Sequence, residues 1–135
     1  MRNNVWLAER LTYVHGTYFD DIAIPNPLLV RFGRSSRTRL GSINSSYSPE
    51  RKLVSIITLT KYFQSIDVPE LVLDATLAHE LAHYTHGFHS PHPKQYDHPH
   101  RGNVVGKELM RRGAGELMRQ QEQWLKLYWR EHILT

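Results

Sequence analysis

Residues 5–15, VWLAERLTYVH, place Val5, Leu7, Ala8, Leu11 and Val14 at roughly helical spacing, which predicts a first helix. Pro25 and Pro27 break that pattern. Beyond them, LLVRF at 28–32 is apolar and β-prone. Residues 38–47 alternate loosely between apolar and polar, and KLVSIITLT at 52–60 is rich in β-branched side chains. Three short strands are expected from these stretches. Ser-Pro-Glu at 48–50 suits a hairpin turn between the second and third.

The pattern then changes period. Pro69 suits the first turn of a helix with Asp67 near its cap, and no breaker follows until Gly87. Leu71, Val72, Ala75, Ala78 and Ala82 form an apolar stripe, while Thr76, His79, Glu80 and His83 share a different part of the circumference. Residues 88–102 hold Pro91, Pro93 and Pro99 among scattered histidines, without periodicity, and read as a loop. Val104–Arg112 reads as a helix ended by Gly113. A last helix over 115–133 is expected to pack through Leu117, Trp124, Leu125 and Tyr128. The order predicts an α+β fold: a small sheet, three-stranded or slightly larger, packed against helices. No repeat, linker or low-complexity tract divides the chain, so residues 1–135 are read as one domain.

Composition narrows the function classes. The chain lacks cysteine, which excludes disulfides and thiolate-held metal. No apolar run is long enough to span a bilayer, and MRNNVWLAER has no secretory apolar stretch. A cytoplasmic location is therefore expected. The formal net charge is +4, and Arg31, Arg34, Arg37 and Arg39 fall within one short stretch read as a loop. That favours anionic partners, nucleic acid included, although a solvated basic surface is the plainer reading.

The sharpest chemistry lies in HELAH at 79–83. On a helix, His79 and His83 stand on one face, about 5–6 Å apart at Cβ. Both imidazoles can reach one Zn²⁺ at about 2.0–2.1 Å. Glu80 follows the first ligand and projects beside the metal, where a carboxylate can take a proton from water and pass it to a leaving amine. A catalytic zinc needs a third protein ligand, and His89, His98, His100 and Glu108 are the downstream candidates. His89 has metzincin spacing, but His86 stands where that pattern wants glycine. His86, His92 and His132 are expected to be solvent-exposed, and His15 to cap the first helix. Asp74 is expected to be an exposed helix residue and Tyr84 a packed one. Tyr96 is assigned no role.

Residues 10–113 resemble the SprT-like zinc metallopeptidases. RTRLGSI is similar to that family's strand with Leu-Gly, LVSIITLTKYF to the apolar strand after it, and VPELVLDATLAHELAH to the motif helix. HRGNVVGKELMRRG is similar to the closing element, with Arg101 between histidine and glycine and Val105 in the place of an aromatic. The resemblance implies a zincin-like fold with the motif on a central helix. It also implies Zn²⁺ as cofactor, His79, His83 and His100 as ligands, Glu80 as the catalytic carboxylate, and a protein or peptide substrate. The cysteine-built zinc ribbon of many members is missing. The alternative from another class is a non-catalytic metal- or nucleic-acid-binding domain on the same scaffold.

Overall fold

The computed structural model describes residues 1–134. Helix α1 (Asn4–Tyr18) begins where the Asn3 side chain accepts a hydrogen bond from the Trp6 backbone N–H, an N-cap. It buries Leu7, Leu11 and Val14, three of the apolar positions of the predicted helix. Strands β1 (Leu28–Phe32), β2 (Gly41–Tyr47) and β3 (Leu53–Leu59) form one sheet in the order β1-β3-β2. The β2–β3 pair is the expected antiparallel hairpin. Its turn is closed by Ser48 N–H donating to the Lys52 carbonyl at 2.9 Å. β1 pairs with β3 in parallel, which makes the sheet mixed. β2 starts at Gly41 rather than 38. Arg31 lies in β1, the strand expected at 28–32, which leaves Arg34, Arg37 and Arg39 in the loop.

Helix α2 (Glu70–Thr85) crosses the middle of the molecule and packs on α1, β2, β3 and two later helices. Pro69 itself is its N-cap position. The helix is buried around most of its circumference, not along one stripe. An element covered on several sides has no solvated face to reserve for charge. Asp74 accordingly corrects its expectation: it is buried and takes a two-pronged hydrogen bond from Arg10 of α1. Tyr84 is packed, as expected, at 0% exposure. Gly87, at φ +88°, ends the helix in the left-handed region. A Cβ there would stand 2.5 Å from the Pro93 carbonyl oxygen, so the loop returns tightly over the helix end.

Helix α3 (Val104–Arg111) puts Val105 and Leu109 into the core. Helix α4 (Gly115–Trp124) continues through a π-helical turn at Leu125–Trp129 into a short final turn, Arg130–Leu134. Leu117, Trp124 and Leu125 pack against the core as predicted. Tyr128 does not: it is 51% exposed, because the wider π turn rotates the stripe away from the core. His132 is half-buried, its ring stacked on Trp129. Among the described residues, no helix is long and apolar enough to cross a membrane.

Candidate metal centre

His79, Glu80 and His83 lie in the C-terminal half of α2, and β2 begins against Thr76 and Glu80. Gly41 is what lets the strand come so close. A Cβ at this position would stand 2.7 Å from Thr76 Cγ2 and 3.1 Å from a carboxylate oxygen of Glu80. The glycine of Leu-Gly-Ser therefore sets the distance between the strand and the carboxylate.

His100 enters from the other side, on the loop just before the one-turn helix Arg101–Asn103 that leads into α3. The ring centroids of His79 and His83 are 4.8 Å apart, those of His83 and His100 4.7 Å, and those of His79 and His100 5.9 Å. One ring nitrogen from each lies within 4.8 Å of the others. The Nε2 atoms of His79 and His83 face one another at 3.2 Å. The Nδ1 of His83 is buried without a hydrogen-bond partner. Among the described residues, this trio is the one cluster that could hold a metal ion.

The other candidates go elsewhere. His98 is exposed and outside the cluster. His89 shares the cavity with the triad, but its Nδ1 bonds the Ser45 hydroxyl at 2.9 Å. Glu108 is used up. Its Oε1 accepts from His86 Nε2 at 2.8 Å, and its Oε2 accepts from Arg112 Nε at 2.7 Å and from Arg111. His86, expected at the surface, is therefore 0% exposed, held by a carboxylate twenty-two residues on. His92 is half-buried, with Nε2 on the Ala23 carbonyl. His15 has its ring on the Ile22 carbonyl, one turn short of the helix end. Tyr96 is 40% exposed and meets His86 edge-on.

The cavity over the triad holds about 200 Å³ and is walled by Arg39, Gly41, Ser42 and Ile43 on one side and by Phe88, His89 and Pro99 on the other. A second hollow continues past Arg39 and Glu80 to Gln121 of α4. Arg39 escaped the sequence reading, where it was one of four arginines with nothing to distinguish it. Its place beside Glu80 comes from the β2 start.

The electrostatics suit a cation. Burial lowers His79 to about 4, helped by His100. Burial, then His79 and His100, lower His83 to about 3. Both imidazoles are thus neutral near pH 7, the form that donates a lone pair to a metal. Burial pushes the Glu80 carboxyl up to about 8, tempered by Arg39. A dication on the triad would counter that burial penalty. Three imidazoles in this arrangement fit Zn²⁺, with Glu80 beside them and outside the set.

Two expectations follow. His100→Ala should weaken zinc binding at least ~100-fold while His98→Ala leaves it unchanged, read by zinc titration against a chromogenic chelator; even outer-layer partners of a metal are worth about 10–100-fold. The metal-free protein should be most stable near pH 6.5, read by chemical denaturation across pH. Below pH 6.5 the unfolded chain takes up protons that folded His79 and His83 refuse down to about 4 and 3, so stability falls with acid. Above it the unfolded chain has already lost the proton that folded Glu80 keeps to about 8, so stability falls again until pH 8.

Compared with known proteins, the chain matches no family model, no curated protein and no solved structure.

Proposed function

We propose that the protein is a zinc-dependent peptidase of the SprT-like kind, on a zincin-like scaffold. The observation that carries the reading is the pairing of a three-histidine cluster with a buried carboxylate that is not part of it, both opening on one cavity. A site built only to hold metal does not require the carboxylate. When bound, zinc supplies a Lewis acid that acidifies water and polarises a carbonyl.

The chain's own residues do the rest. His79, His83 and His100 hold the metal. Glu80 accepts a proton from the attacking water as its oxygen bonds the scissile carbonyl carbon. The same carboxyl then gives that proton to the amide nitrogen. The C–N bond breaks, leaving a carboxylic acid and an amine. The free edge of β2 supports an extended peptide beside Gly41, Ser42 and Ile43, bound by main-chain hydrogen bonds. The low exposure of Glu80 keeps bulk water from competing for its proton.

The exposed Arg34 and Arg37 favour a second reading, a metal-holding module that contacts nucleic-acid phosphates. Incubation with an unfolded protein separates the two. The peptidase gives products with new α-amino termini by mass spectrometry, lost on chelation and regained with zinc. The module gives none and shifts a DNA or RNA probe in a salt-dependent way.

A further inference from the structure

His89 lies in the cavity without belonging to the metal cluster. Its backbone is in the left-handed region, φ 53°, which residues other than glycine seldom adopt. Such a conformation costs free energy and persists where its surroundings dictate it. The surroundings here are explicit. Ser45 on β2 and Ser55 on β3 face each other across the sheet. The Ser55 hydroxyl donates to the His89 carbonyl at 2.6 Å, and the Ser45 hydroxyl bonds its Nδ1 at 2.9 Å. Ser55, fully buried, also accepts from Asn26 Nδ2 at 2.9 Å, and Asn26 Oδ1 accepts from the buried Tyr84 hydroxyl at 2.5 Å. A buried polar chain from α2 to the sheet thus fixes one exposed histidine at the cavity wall.

We propose that His89 is a second catalytic group of this cleft. Its Nε2–H donates a hydrogen bond to the scissile carbonyl oxygen as negative charge builds there. The proposal rests on the peptidase reading. Its chemistry follows from the anchor. With Ser45 Oγ–H donating to Nδ1, the ring carries its proton on Nε2 and offers it outward. The position agrees. Glu80 lies under Gly41 at the start of β2, and His89 is tied to Ser45 further along the same strand. A peptide laid on that edge has the proton acceptor at one end of the cavity and the donor at the other. The developing oxyanion is then kept apart from the carboxylate. Donors fixed in advance, aimed at where charge develops, are the most effective kind.

The test measures zinc content, thermal unfolding, kcat and KM on one peptide, and affinity for a phosphinic peptide that mimics the tetrahedral geometry. His89→Ala is expected to keep zinc and fold, to lose about 100-fold in kcat with little change in KM, and to bind the phosphinic peptide weaker by a similar factor. His89→Gln, which retains an N–H donor, should recover part of the loss. Ser45→Ala should cost only about fivefold, one ordinary hydrogen bond's worth. If wild type cuts and both His89 variants stay within about threefold of it, the role of His89 is wrong and the peptidase reading stands. A loss that tracks missing zinc also overturns the role, since His89 would then be acting on the metal. If wild type cuts no peptide, the peptidase reading fails and takes the role with it.

Discussion

Glu80→Gln should keep its zinc and lose at least ~10³-fold in peptide hydrolysis, the usual order for a removed general acid–base group. The amide matches the carboxyl in shape but cannot accept a proton. Glu80 is not among the three clustered ligands, so metal content should match wild type. The substitution has a second signature, independent of activity. Wild-type Glu80 has its carboxyl raised to about 8 by burial, so the metal-free folded state holds a proton that the unfolded chain has released above its ordinary value of 4.5. Stability must fall as pH rises between those values. The amide does not titrate, so metal-free Glu80→Gln should gain on wild type across that window and show no further gain above pH 8. Parallel urea titrations at several pH values would read this. Equal pH profiles would mean that Glu80 is not buried as described.

The second large effect is structural. Glu108→Ala should lower the unfolding free energy by about 3 kcal/mol, the low end of the cost of breaking a buried ion pair. The melting temperature should drop by roughly 10 °C. Glu108 joins three elements. It accepts from His86 at the end of α2 and from Arg111 and Arg112 on its own helix. Arg112 in turn reaches Asp21 at 2.6 Å and the Tyr18 carbonyl at 3.1 Å, at the end of α1. Burial alone would raise the Glu108 carboxyl, but hydrogen bonds from His86, Arg111 and Arg112 outweigh it and hold the group below its ordinary value. Its stabilisation is therefore present above the unfolded pKa and lost as pH falls through the folded one. The alanine strands His86, whose Nδ1 already lacks a partner, with no bond on either nitrogen. Arg112 keeps Asp21 and Tyr18, which is why the cost stays at the low end. Glu108→Gln, which can still accept from His86, should lose less.

The parts of this molecule that were legible in the sequence are those fixed by local spacing. His79 and His83 meet because helical residues four apart share a face, and β2–β3 closes because its turn is short. The parallel pairing of β1 with β3 left no local trace, because it depends on a chain return through other elements. His100 joins the triad through the path of a loop rich in proline and histidine, and no period marks it out from His98 or His89. Only the likeness to a family element favoured it. His86 and Asp74 were misplaced for a related reason. Asp74 is a polar residue on α2 and His86 the residue that caps its end, and each is buried with a partner distant in the sequence, Arg10 and Glu108. Arg39 gained its place only when β2 began three residues later than its polarity pattern suggested.

The central claim is that one zinc on His79, His83 and His100, with Glu80 beside it, makes a peptidase. Zinc titrated into the metal-free protein in the presence of an unfolded protein substrate tests it most directly. The account predicts that hydrolysis rises linearly with added zinc and levels off at one zinc per chain. Saturation of the site at one zinc with no new peptide termini would contradict it.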